Sequence, residues 1–242
     1  DQRFGHEGFL KRVICSHPDV VPELRTLIEE DKLEAYVLPQ GVLQHLYRCS
    51  AAKEPGLLTK IGMGTYIDPR QEGGKINSIT KEDIVHLMEL DGEEWLFYKS
   101  FPVNAAIIRG TTADEDGNVT IEREALKLET LEIALAAKSG GGKVIVQVER
   151  TAARGSLVPK DIVIPGELID AVVVTEQPEE YHRTTAGTAY SSYMSGEVKC
   201  PLSAAAQPKA VLAADDVICR RAVFELVPGA VVNVGVGIGS GI

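Results

Sequence analysis

Apolar positions along the chain switch between a helical period and short unbroken runs, with polar, glycine-bearing stretches between them. Over 21–30, Leu24, Leu27 and Ile28 share one helical face, and a short strand follows at 35–38. A second helix is predicted over 41–52, with Gln40 just before its first turn. Thr80 with Asp83 three residues on reads as a capping-box start, predicting a helix over 80–89 and a strand at 95–98. Strands at 105–109 and 119–121 are separated by the acidic turn Asp114, Glu115, Asp116, Gly117, Asn118. A helix over 124–138 carries Leu128, Leu131 and Leu135 at helical spacing and ends in Ser139 and three glycines. The stretches 144–148 and 171–174 read as continuous apolar runs, interrupted only by Gln147, the pattern of strands covered on both faces. The alternation predicts an α/β fold, an open, mostly parallel sheet with helices on both faces.

From 177 to 207 the periodicity fails, which predicts an extended loop and linker. Asp215 then opens a helix carrying Val217, Ile218, Ala222, Val223 and Leu226, and a strand over 230–234 runs into glycines. The expected organisation is a first domain at 1–196, a linker at 197–214 and the beginning of a second, similar domain at 215–242.

The stretch 61–75 fits neither period. It holds Gly62, Gly64, Gly73 and Gly74 with Asp68-Pro69 between them. It reads either as a shaped loop whose missing side chains bring backbone N–H groups close to a ligand, or as a long connection between two elements. Two other glycine motifs fail to complete a phosphate-loop or dinucleotide fingerprint. A phosphate loop ending at Gly142-Lys143 would need Gly at 137 and Ser or Thr at 144, where the chain has Ala137 and Val144. Gly235, Gly237, Gly239 and Gly241 follow a strand, yet Ser240 stands where a dinucleotide fingerprint needs its third glycine.

With 242 residues, 44% of them apolar, the chain buries a substantial core. A formal charge of -10 argues against a general nucleic-acid binder, and no nucleic-acid partner is expected. Cys15, Cys49, Cys200 and Cys219 are too scattered for a metal or disulfide framework and read as free or buried thiols. His6, His17, His45, His86 and His182 show no metal-ligand spacing, His45 and His86 being placed on helices. The Asp114–Asp116 cluster reads as a solvated hairpin tip, and no metal is expected. No apolar run reaches the ~20 residues of a membrane-spanning helix, so no membrane partner is expected. Nor does the opening combine basic residues with an apolar core, and a cytoplasmic location is the expectation.

Several ordered motifs carry a resemblance over nearly the whole chain: Arg3 to Gly8, Leu38-Pro39-Gln40-Gly41-Val42, Ile61 to Lys75, Gly110 to Asn118, Val158 to Ile162, and Asn233 to Ile238. Together they resemble the first half of a family I coenzyme A transferase, of the acetate/propionate (short-chain acyl) type. The resemblance implies two similar α/β halves, with acyl-CoA and short-chain carboxylates as reaction partners, no cofactor beyond coenzyme A as substrate, and a homo-oligomeric full-length protein. It places Gln40 beside the reacting thioester in a positioning role, and Gly41, Gly62, Gly64, Thr65, Asn233, Gly235 and Gly237 around the acyl group or coenzyme A.

Two departures accompany the resemblance. Family members usually have a strand and glycine-rich loop ahead of the segment equivalent to Arg3, and carry the nucleophilic glutamate in a Glu-Xaa-Gly segment downstream of the one resembling 233–238. By that comparison neither lies in this chain, and the fragment alone is expected to be inactive. An acyl-CoA hydrolase and a non-catalytic small-ligand-binding α/β module remain the alternatives.

Overall fold

The computed structural model describes residues 2–185, 187–199, 213–234 and 237–241. They divide into two compact units, Asp1–Glu197 and Val198–Ile242. In chain order the first unit runs β1 (Arg12–Cys15), α1 (Pro22–Glu29), β2 (Glu34–Val37), α2 (Gln40–Ala52), β3 (Gly56–Thr59), β4 (Val85–Leu90) and β5 (Glu93–Lys99). It continues with β6 (Ala105–Arg109), β7 (Thr112–Asp114), β8 (Val119–Thr120), α3 (Thr130–Ser139), β9 (Lys143–Val148), β10 (Arg150–Ala152), β11 (Ala171–Val174) and the single turn α4 (Pro178–Tyr181).

The fold is α/β, with parallel pairing of β1 with β2, of β9 with β6 and β11, and of β7 with β10. Its strands fall into four small sheets, and one of them, β3-β5-β4, is wholly antiparallel. α2 buries Val42, Leu43, Leu46 and Cys49 on one stripe, and Lys53 ends it in the left-handed conformation at φ 60. That stripe meets Leu96 and Tyr98 of β5 with Tyr36, Leu38 and Ile67 to form one core. A second core lies under α3, where Ala134 and Ala137 let the helix settle against Ala106, Ile108, Val144 and Val146. An Arg48–Glu132 ion pair of 2.8 Å links α2 to α3. Among the described residues no helix is long and apolar enough to cross a membrane.

Several expectations are corrected. Residues 80–89 hold no helix: the Thr80 hydroxyl accepts from the Ala35 amide at 2.7 Å, Asp83 pairs with Lys75, and 85–90 form β4. His86 is accordingly a strand residue stacked on Phe97. The turn after it is Asp91-Gly92, both at positive φ (53 and 77), a two-residue hairpin connection. The helix expected from 124 starts at Thr130, because Glu124 is drawn to His182 and Arg109, and Leu128 stands exposed at φ 47.

The runs 144–148 and 171–174 are not covered on both faces. β9 alternates between buried Val144, Val146 and Val148 and open Ile145, and all four residues of β11 are exposed. Asp114 is no solvated tip, since its buried carboxylate accepts from the amides of Asp116 (3.0 Å) and Asn118 (2.9 Å).

In the second unit, α5 (Ala214–Val223) begins with the Asp216 carboxylate accepting from the Ala213 amide at 2.9 Å. The Cys219 thiol donates to the Ile238 carbonyl at 3.0 Å. Among the described residues no strand forms over 231–234, where Val231 is fully exposed.

Candidate active site

Gln40 opens α2 where the parallel strands β1 and β2 end, the edge of an α/β sheet at which ligands gather. The two strands deliver its partners, since the Leu38 amide bonds the Cys15 carbonyl at 2.9 Å and brings Ser16 alongside. The Ser16 hydroxyl donates to Gln40 Oε1 in a short contact. On its other side the carboxamide Nε2 donates to Glu129 Oε1 at 2.9 Å. A carboxylate only accepts, so Glu129 fixes which end of the amide is nitrogen. Ser16 Oγ also lies 2.7 Å from His17 Nδ1, and with its proton spent on Gln40 it accepts from an Nδ1–H tautomer there. Gln40 itself remains exposed, as does Gly41 after it.

The 61–75 loop is anchored to the same scaffold. It returns through Gly73 and Gly74 (φ 64 and 76), and the Val37 amide bonds the Gly74 carbonyl at 2.9 Å, three residues before Gln40. Met63 and Ile67 pack on the core that holds Val42 and Leu43 of α2.

Two buried side chains shape the loop from beneath. Asp68, 1% exposed, accepts the Gly64 amide at 2.9 Å, the Arg70 amide at 3.0 Å, and the Arg70 guanidinium at 3.0 and 2.8 Å. Arg70 reaches on to Glu94 at 2.9 Å. The hydrogen bonds from Arg70 and then from Gly64 hold the Asp68 carboxyl well below the usual carboxylate range despite its burial. The Tyr98 hydroxyl donates to the Ile61 carbonyl at 2.7 Å, and burial, with the nearby Asp68 charge, pushes its pKa up to about 12.

Gly62 sits at φ 93, and a Cβ there would come within 2.5 Å of the Tyr98 hydroxyl, so no other residue fits. Most of the loop's donors are already spent. Thr65 turns its amide (3.1 Å) and hydroxyl (2.7 Å) back to the Gly62 carbonyl, and Gly64 is held by Asp68. From Ile61 to Asp68, only the amides of Gly62 and Tyr66 have no acceptor among the described residues.

Of the other sequence candidates, Asn233 and Gly237 lie in the second unit, and Gly235 falls outside the described residues. Sequence reasoning missed Ser16, Glu129 and Tyr98, as well as a buried network beside a cleft of about 800 Å³ lined by Glu124, Lys127, Val158 and Lys160. There His182, fully buried, lies 2.9 Å from Glu124 and 3.0 Å from the Gln147 amide, while Arg109 also bonds Glu124. Burial works against the Glu124 charge, but the bonds to His182 and Arg109 prevail and lower its pKa. Cys49, buried, has its thiol pushed up to about 11 by desolvation and is inert as a nucleophile.

Residues 5–175 match the family described as coenzyme A transferase. The chain is 47% identical over 238 residues to caffeate CoA-transferase of Acetobacterium woodii, covering 98% of this chain and 45% of the relative. It is 41% identical over 236 residues to acetate CoA-transferase YdiF of Escherichia coli K12, covering 98% and 44%. The solved acyl-CoA transferase YdiF of E. coli O157:H7, a thioester complex with CoA, superposes with TM-score 0.87 at 40% identity, over 99% of this chain and 47% of that one. The chain thus spans less than half the length of these relatives.

Proposed function

The chain belongs to the coenzyme A transferase family, and on that premise we propose that it supplies the acyl-positioning half of an enzyme exchanging coenzyme A between short-chain acyl groups and carboxylates. One observation carries the reading: a carboxamide fixed at the carboxyl ends of β1 and β2 shares its scaffold with a rigid glycine turn that keeps an uncommitted amide. Such a pair suits a thioester carbonyl in one step and a carboxylate in another, because an amide both donates and accepts.

The proposed nucleophile is a glutamate carboxylate in the part of the relatives that this chain does not span. Its oxygen attacks the acyl-CoA carbonyl carbon and expels the coenzyme A thiolate, leaving an acyl-glutamyl anhydride. The thiolate then attacks the glutamyl carbonyl, which releases the carboxylate and forms a glutamyl-CoA thioester. An acceptor carboxylate reverses the sequence. Gln40 and Gly62 N–H orient the acyl oxygen during these attacks, with Gly64 and Thr65 shaping the turn and Gly41 following Gln40 at the mouth of the site. Asn233, Gly235 and Gly237 are proposed to approach coenzyme A. The chemistry calls for no metal and no redox cofactor.

The test uses the full-length enzyme with acetyl-CoA and labelled propionate. The relatives' names differ in acyl group, caffeate and acetate, so caffeoyl-CoA is assayed beside acetyl-CoA. Propionyl-CoA formation, with a borohydride-reducible thioester on the protein, is the expected result. Release of free thiol without transfer would assign the site to hydrolysis instead.

A further inference from the structure

We propose that Tyr98 is a positioning residue which aims the Gly62 N–H out of the core as a donor to the acyl oxygen; this rests on the function proposed above. The argument begins with the planar, trans peptide between Ile61 and Gly62. In such a peptide the carbonyl oxygen and the next Cα lie on one side of the C–N bond, and the N–H points the opposite way. The Tyr98 hydroxyl touches that first side twice. It donates to the Ile61 carbonyl at 2.7 Å, and it occupies the space a Cβ on Gly62 would need, 2.5 Å away. Because Tyr98 is fully buried, the carbonyl points into the core and the Gly62 N–H points away from it.

The bond does more than orient. A donor on a carbonyl polarises the same peptide and strengthens its N–H as a donor, the cooperative effect seen in hydrogen-bond chains. With its pKa pushed up to about 12, the phenol remains a neutral O–H donor throughout the physiological range. The Gly64 amide, tied to Asp68 at 2.9 Å, fixes the far side of the turn, so the Gly62 peptide is held from both directions.

Tyr36 provides a matched control. It is equally buried in the same core cluster, and its hydroxyl donates at 2.7 Å to the Glu82 carbonyl, outside the 61–68 turn. Tyr98→Phe and Tyr36→Phe each remove one buried phenol–carbonyl bond, so their effects on thermal unfolding should be similar. In the full-length enzyme, Tyr98→Phe should lower kcat about tenfold, a share of the loss typical of a missing oxyanion donor. Its KM for acetyl-CoA should stay within about twofold, and Tyr36→Phe should keep kcat near that of the unmodified enzyme. Equal kcat in the two variants would overturn the proposal.

A second measurement separates this claim from the activity on which it rests. In the ¹⁵N-labelled full-length protein without substrate, the Gly62 amide should exchange rapidly while that of Gly64 is protected. The Gly62 ¹⁵N resonance should move in Tyr98→Phe and stay in Tyr36→Phe. A protected Gly62 amide, or a resonance indifferent to Tyr98→Phe, overturns the proposal whether or not the enzyme transfers coenzyme A. A protein that shows these amide properties but no transfer would refute the function and leave the peptide's orientation standing.

Discussion

Replacing Gln40 by Ala and by Glu separates what its carboxamide does from the space it fills. Ala removes the bond to Glu129, 2.9 Å long, and the acceptor of Ser16, together with the donor offered to the acyl group. Losing one preorganised donor to developing charge costs ~3 kcal/mol, about a hundredfold in rate. Glu keeps the shape but sets two carboxylates against each other at the distance of that hydrogen bond. At this separation Coulomb repulsion is about 1.4 kcal/mol in water and about 6 at the effective dielectric of a protein surface. Gln40 is exposed, which screens the repulsion towards the lower figure without removing it.

The sign follows directly: protonation relieves the repulsion, so the Glu variant recovers on the acid side, where one shared proton restores a bond between positions 40 and 129. The Ala variant has nothing to protonate and shows no such recovery. Steady-state transfer from acetyl-CoA to propionate by the full-length enzyme, between pH 5 and 8, reads both effects. An Ala variant at the rate of the unmodified enzyme, or a Glu variant without an acid-side gain beyond that of the unmodified enzyme, would refute the placement of Gln40 between Ser16, Glu129 and the substrate.

Three further outcomes are expected. Asp68 is held below its ordinary pKa of 3.8, so its contribution to stability is present above about pH 4 and is lost as pH falls through the folded value; urea unfolding of Asp68→Asn should therefore vary less with pH on the acid side than that of the parent. Leu46, 1% exposed in the α2 core, should cost about 2–5 kcal/mol when changed to Ala, read as a lower denaturation midpoint, and a loss under 1 would show a loosely packed core. The 242-residue chain incubated alone with acetyl-CoA and propionate should yield no propionyl-CoA, whereas turnover would place the nucleophile among its own 35 acidic residues.

Helix α2 was legible almost to the residue, because Val42, Leu43, Leu46 and Cys49 repeat at helical spacing and nothing distant competes for them. Residues 80–89 were misread for the opposite reason. The Thr80–Asp83 signal is local, but the Thr80 hydroxyl is claimed by an amide 45 residues away, and the Asp91-Gly92 hairpin turn outranks a helix start as a local cue. The site shows the same divide. Gln40 and the glycine loop stand out through their motifs, whereas the partners that fix them lie 24, 89 and 37 residues off, as Ser16, Glu129 and Tyr98. No periodicity announces such contacts. Asp68 was visible as a turn residue, yet its burial depends on Arg70 folding back over it, which spacing does not reveal.

The antiparallel ladder of β5 has a consequence for how far this protein tolerates changes in length. Val85 pairs with Tyr98, Leu87 with Leu96 and Leu90 with Glu93, a count closed by the two residues Asp91 and Gly92. On β5's other side Leu57 faces Tyr98, and Gly56 lets β3 lie so close that a Cβ would meet the Tyr98 carbonyl at 2.1 Å. Side chains alternate along a strand, so a one-residue slip of β4 against β5 would take either Val85 or Tyr98 out of the core. The exposed turn is thereby tied to the register that places Tyr98 under the Gly62 peptide. Substitution is restricted there as well, because Asp91 and Gly92 both stand at positive φ, whereas a longer insertion at the exposed tip loops out and leaves the ladder in step.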